Sequence, residues 1–200
     1  VALRLIALTP GAPWQDAARR AGEVLRAGGV ALLPAEGVYG LHARAEDPAA
    51  VDRLTRLKPR AGKQGFIGLI ADPGDAARWA ETGDIAESLI ERYWPGALTL
   101  VLRARPGVPE ALIAADGTVA LRCPGSDLLR EIVRIATGIV ISTSANEPGQ
   151  PPMIRAEGPL AESVDLVVDQ GSLSGTPSTL VSVQEDGVRV LRHGAVRIEG

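Results

Sequence analysis

Residues Gly138 to Pro152, GIVISTSANEPGQPP, run from an apolar β-branched stretch into Ser142, Thr143, Ser144, Ala145 and Asn146, and then into turn residues. Hydroxyls and a carboxamide at the end of a strand can hold phosphate oxygens or a ribose without adding charge, which suits a ligand that carries its own. The same residue types also bond their own backbone in turns, and an isolated Ser-Asn pair does this more often than it binds anything. A second group, Leu57-Lys58-Pro59-Arg60-Ala61-Gly62-Lys63, clusters cations where a helix must stop. Lysine supplies a compact charge and arginine a planar fork of donors, a combination that fits a triphosphate. Cations near a helix C-terminus also complement its dipole while remaining in solvent, so this cluster alone leaves both uses open. No Gly-x-x-x-x-Gly-Lys-Ser/Thr segment occurs, which excludes a P-loop as the phosphate cradle. A third group, Pro34-Ala35-Glu36-Gly37-Val38-Tyr39-Gly40-Leu41, reads as an irregular loop at a strand's carboxyl end, the usual ligand side of an α/β sheet. Glu36 and Tyr39 could face a ligand there, or could cap a neighbouring helix and fill a groove.

The elements that must carry these groups alternate in type. Leu3 to Thr9 reads as a strand, Trp14 to Ala27 as a helix ended by Gly28-Gly29, and Val30 to Leu33 as the next strand. Asp47-Pro48 starts a helix with Val51, Leu54 and Leu57 on one face, and Pro59 stops it. Strands follow at Phe66 to Ala71, Ala97 to Arg103, Thr118 to Arg122 and Ile139 to Ser142. Helices are expected around Asp75 to Ala80, Ile85 to Tyr93 and Ser126 to Ala136, the last with Leu129, Ile132, Val133 and Ala136 inward. Shorter strands at Asp165 to Val168, Thr179 to Val183 and Val188 to Leu191 close the chain, the last two joined across Gln184 to Gly187. The alternation predicts an α/β fold with a buried sheet, in a single domain over 1–200.

Composition agrees with that class. The 200 residues are 46% hydrophobic but only 3% aromatic, so the core rests on Ala, Val, Leu and Ile. Cys123 is the only cysteine, which excludes an internal disulfide, and with His42 and His193 it gives no zinc-ligand spacing. No apolar run approaches the roughly 20 residues that span a bilayer. A cytoplasmic location and no membrane partner are the resulting expectations. The net charge of −3 argues against wholesale attraction to nucleic acid, although a local basic patch is compatible with it.

Taken in order, the segments Pro34-x-Glu36-x-Val38-Tyr39-Gly40-Leu41, Leu57-Lys58-x-Arg60-x-x-Lys63, Tyr93-Trp94-Pro95-Gly96-x-Leu98-Thr99, Arg122-x-Pro124, Ser142 to Asn146, Pro177-Ser178-Thr179 and Leu191-Arg192-x-Gly194 resemble the YrdC-like family of threonylcarbamoyl-adenylate synthases. The resemblance covers nearly the whole chain and implies a single twisted mixed α/β sheet with a large concave, positively lined cavity. It implies a nucleotidyltransferase that uses ATP with Mg²⁺, L-threonine and bicarbonate to make threonylcarbamoyl-AMP and pyrophosphate. A separate transferase complex then carries the threonylcarbamoyl group to an adenosine beside the tRNA anticodon.

Carried onto this chain, the resemblance makes Lys58, Arg60, Ser144 and Asn146 the catalytic tetrad around the nucleotide phosphates. Lys63, Ser142 and Arg192 join them in binding ATP, while Ala35, Arg122, Thr143 and Ser178 fall in the threonine subsite, with Arg122 toward the carboxylate. No side-chain metal ligands are implied. His42 and His193 have no catalytic part and are expected as loop or surface residues. The chain departs from the family pattern at Ala35 and Gly37, where the usual Pro-Thr-Glu-Thr loop would place hydroxyls, and at Gln64, Gly65 and His193. These departures fall at the amino-acid end of the site. They admit a relative that adenylates another carbamate or carbamoylates another acceptor. A further reading is a tRNA- or double-stranded-RNA-binding module whose basic face includes Arg53, Arg56, Lys58, Arg60 and Lys63.

Overall fold

The computed structural model describes residues 4–9, 11–59, 65–146, 150–185 and 187–198. The elements in chain order are β1 (Arg4–Ala7), α1 (Gln15–Arg26), β2 (Ala31–Ala35), β3 (Val38–Arg44), α2 (Pro48–Leu57), β4 (Ile67–Leu69), α3 (Ala76–Trp79), α4 (Asp84–Tyr93), β5 (Leu98–Arg103), β6 (Thr118–Arg122), α5 (Asp127–Ala136), β7 (Val140–Ser144), α6 (Pro159–Glu162), β8 (Leu166–Asp169), β9 (Thr179–Gln184) and β10 (Gly187–Arg192). All ten strands join one sheet, ordered β1-β8-β2-β3-β7-β4-β6-β5-β9-β10. It is mixed: β1/β8, β2/β8, β4/β6 and β5/β9 pair in parallel, and the remaining neighbours are antiparallel.

Local chemistry accounts for the helix ends. The Asp47 carboxylate accepts from the backbone N–H of Ala49 and Ala50 at 3.0 and 3.1 Å, and Pro48 occupies the first turn of α2, where its missing N–H costs nothing. Ser126 caps α5 by accepting from the Leu129 N–H.

Alternation along the strands gives the sheet two apolar faces. On one, Leu32, Leu41, Ile141, Leu121 and Leu100 meet Leu54 of α2, Trp79 of α3 and Ala86 of α4. On the other, Ala31, Leu33, Leu69, Val140, Leu166 and Val168 are covered by α1 and α5 through Ala17, Ala18, Ala21, Leu25, Leu129, Ile132, Val133 and Ala136. Emptying one such site, as in Ile132→Ala, costs ~2–5 kcal/mol. α1 and α5 cover only part of their face. Along β3, β7, β6 and β5, the same alternation brings Gly40, His42, Ser142, Ser144, Arg122 and Thr99 to that side.

One expectation is overturned by this topology. Pro34 to Leu41 is a tight hairpin rather than an irregular loop: β2 and β3 pair from Ala31↔His42 to Ala35↔Val38, and only Glu36 and Gly37 connect them. Pro34 is tolerated in β2 because the neighbour on its other side, β8, pairs only with Ala31 and Leu32. Glu36 takes the left-handed conformation, at φ 65°. Its carboxylate accepts from the Gly125 N–H at 2.8 Å, which ties the turn to the loop between β6 and α5.

Candidate active site

The candidate site is a cavity of about 100 Å³ on the face that α1 and α5 leave open. Ala35 and Val38 flank the hairpin turn at one side, Gly40, Ser142 and Ser144 form a floor, and Ile67 and Arg122 stand opposite. Pro177, Ser178 and Arg192 close it from the β9–β10 side. Register explains the floor: β3 and β7 run antiparallel with Gly40 opposite Ser144 and His42 opposite Ser142, so both serines project to one face and Ser144 does so beside a residue that has no side chain. Thr143 also lines the cavity, one step out of phase with its two neighbours.

Two arginines dominate the electrostatics. Arg122 is only 3% exposed, and its Nε has no hydrogen-bond partner among the described residues. Burial lowers its pKa, the negative charge of Glu36 opposes that shift, and the positive charge of Arg192 adds to it. Arginine stays charged in proteins, so a buried guanidinium whose Nε has no partner among the described residues is chemically able to pair with a planar anion. Arg192 is oriented by Ser178, donating through Nε and Nη2 to the Ser178 carbonyl at 3.2 and 2.9 Å and through Nη2 to its Oγ at 3.2 Å. Ser178 Oγ lies 2.9 Å from Thr99 Oγ, a buried pair that fixes the serine.

Ser144 links this cavity to a second polar group. Its Oγ donates to Asn146 Oδ1 at 2.7 Å, the Lys58 ammonium donates to the same Oδ1 at 2.7 Å and to the Asn146 carbonyl, and Asn146 Nδ2 donates to the Gln150 carbonyl at 2.8 Å. Pro59 ends α2 where the chain delivers Lys58, which caps its C-terminus and is 9% exposed. The expected tetrad members Lys58, Ser144 and Asn146 are thus brought together; Arg60 and Lys63 lie outside the described residues.

Some residues behave differently from their sequence reading. His42 is not a loop or surface residue but a fully buried one in β3, because the hairpin that the Pro and Gly content obscured carries it into the sheet. Burial, with the nearby Arg122 charge, pushes its pKa down to about 3. Tyr39 fills the core, and its OH donates toward Asp169 and the Gly171 carbonyl while accepting from the Gln170 N–H. Burial above all pushes the Tyr39 phenol up to about 12. Of the cations assigned to a basic face, Arg53 pairs with Asp165, Arg56 with Asp52, and Lys58 is held by Asn146. Thr99 was not singled out for the site, although its place between the inward Leu98 and Leu100 assigns it to the opposite face.

The sequence profile of the family described as telomere recombination, Sua5/YciO/YrdC, matches residues 23–194. The chain belongs to the Sua5/YciO/YrdC family. Within this family, the threonylcarbamoyl-AMP synthase of Pyrococcus abyssi is 32% identical over 187 residues, which is 90% of this chain but 55% of that one. The crystal structure of Pyrococcus abyssi Sua5 complexed with L-threonine superposes with a TM-score of 0.85 at 31% identity, over 95% of this chain and 57% of that one. The chain therefore spans little more than half of that relative. The Escherichia coli YciO crystal structure gives a TM-score of 0.84 at 25% identity and covers 96% of this chain and 95% of its own. The Sua5/YciO/YrdC fold is the mixed ten-stranded sheet described above. Among the described residues, no helix is long and apolar enough to cross a membrane.

Proposed function

We propose that this Sua5/YciO/YrdC chain is a cytoplasmic nucleotidyltransferase that makes L-threonylcarbamoyl-AMP and pyrophosphate from ATP, L-threonine and bicarbonate. Its product would supply a separate transferase complex that modifies tRNA. The observation that carries this reading is that Ser144 belongs both to the cavity holding Arg122 and Arg192 and to the Lys58–Asn146 network. A carboxylate at Arg122 and phosphates at Lys58 and Arg192 would then share one serine-lined floor.

In this scheme, the threonine nitrogen bonds to the carbon of bicarbonate with loss of water. A carbamate oxygen then attacks the α-phosphorus of ATP, and the bond to pyrophosphate breaks. No protein nucleophile is required; the chain's own residues orient and neutralise. The Arg122 fork pairs with the amino-acid carboxylate, and Ser178 holds Arg192 toward the phosphates. Lys58, released in part from Asn146, neutralises developing charge. Mg²⁺, which fits here as an ion arriving on the triphosphate oxygens, would supply further charge neutralisation.

The test is incubation with ATP, Mg²⁺ and bicarbonate, with and without L-threonine, following pyrophosphate and threonylcarbamoyl-AMP. Threonine-dependent formation of both is the expected result; ATP binding without either product would overturn it. A second reading, a relative acting on another amino acid or acceptor, is favoured by Gly37. A β-carbon there would stand 2.0 Å from the Thr176 carbonyl oxygen, so this turn has no room for a substrate-facing hydroxyl. The RNA-binding reading draws less support, because Arg53 and Arg56 are already paired with carboxylates.

A further inference from the structure

His42 is the described histidine whose side chain is wholly enclosed, and neither of its ring nitrogens has a hydrogen-bond partner. Buried polar groups are almost always paired, because a donor or acceptor left unmet keeps its full desolvation penalty. The carbonyls of Gly40 and Ala31 lie toward the ring without closing a bond to it. The direction of the ring is defined by Gly40: a β-carbon built there would lie 2.9 Å from His42 Cε1 and 3.5 Å from Ala35 Cβ. Since Cε1 is the carbon bonded to both nitrogens, the polar edge of the imidazole faces Gly40, which lines the cavity beside Ala35. Ala35 and Val38 offer that side of the cavity no polar side chain.

We infer that His42 is a specificity-determining residue of the amino-acid end of the cavity, where its neutral imidazole hydrogen-bonds the side-chain hydroxyl of the substrate. This rests on the ATP- and amino-acid-using reading above. A hydroxyl is both donor and acceptor, and a neutral imidazole offers one of each, so the pair can form in either sense. Arg122 provides for the carboxylate, which leaves the hydroxyl as the group that His42 can recognise. Gly40, which lines the cavity, puts no side chain between that edge of the imidazole and the cavity. An isosteric aliphatic side chain would leave the imidazole unpaired, and a site of this kind discriminates against such a ligand more strongly than an apolar wall does.

The chain contains two histidines, so ¹⁵N-imidazole-labelled protein gives two ring spin systems, assigned with H193Q. With a non-hydrolysable ATP analogue and Mg²⁺ bound, saturating L-threonine should shift the His42 nitrogens, whereas L-valine should not. Calorimetry should give L-threonine an affinity about 10-fold or more above that of L-valine, a ratio that falls toward one in His42→Phe. If L-threonine binds while the His42 nitrogens stay unmoved, the assignment of His42 is overturned and the function stands. If neither amino acid binds the wild-type chain, the proposed function fails and the role of His42 fails with it. The wild-type titration decides the matter even if His42→Phe does not fold.

Discussion

Asn146 holds Lys58 by two oxygens at once, its backbone carbonyl and its Oδ1, while the same Oδ1 accepts from Ser144. The Lys58 ammonium is therefore pre-positioned, and a phosphate that displaces one of these contacts meets a charge already aimed. Asn146→Ala removes the shared acceptor and leaves the strand and α2 intact. Hydrogen bonds to a charged group contribute ~1.5–3 kcal/mol, so ATP affinity is expected to fall roughly 10- to 100-fold. Equilibrium binding of ATP with Mg²⁺ checks this, and an unchanged affinity would remove Asn146 from the nucleotide site.

Arg122→Lys keeps the positive charge but loses the planar fork. If the fork pairs with a carboxylate, L-threonine affinity should drop about 10-fold or more while ATP affinity stays near the wild-type value. Calorimetry with each ligand separates the two effects. A variant that loses ATP and keeps L-threonine would reverse the assignment of the two ends of the cavity.

Much of the sheet was legible because its strands are apolar runs bounded by Gly and Pro, as at Val140–Ser144 and Thr118–Arg122. The helix start at Asp47-Pro48 was equally plain, since the cap and the first-turn proline are both local signals. The β2–β3 hairpin was hidden because its turn uses Glu36 in a left-handed conformation, which local propensity disfavours and the long-range bond to Gly125 supports. Misreading that hairpin also misplaced His42: residues 38–42, which read as loop or surface, belong to the strand Val38–Arg44. Lys58, Ser144 and Asn146 were legible as a set only through family resemblance, because Lys58 and Asn146 are 88 positions apart and carry no local sign of their contact.

Restoring a threonine at position 37 should not restore a substrate contact. Gly175 donates to the Gly37 carbonyl at 2.7 Å, and the Thr176 carbonyl and Ser174 Oγ occupy the space that a side chain would need. Gly37→Thr forces this segment off the turn at ~1–3 kcal/mol, typical of overpacking. Urea unfolding should show the lower midpoint. A variant as stable as wild type with faster threonine-dependent turnover would show that the segment yields readily and that the hydroxyl matters.

The enclosed His42 also makes stability depend on pH. Its folded pKa is pushed down to about 3, whereas in the unfolded chain the imidazole returns to its ordinary value near 6.5. Between those values the unfolded state binds the extra proton, so stability is fully present above about 6.5 and falls as pH drops through the window. From pH 6.5 to 5, above the range where most carboxylates titrate, the linkage amounts to roughly 1.5 kcal/mol. His42→Phe, if it folds, lacks this linkage and should lose less stability than wild type over the same interval. Parallel urea titrations at the two pH values measure the difference directly. Equal losses in both proteins would mean that His42 finds a partner in the folded state and is not held neutral.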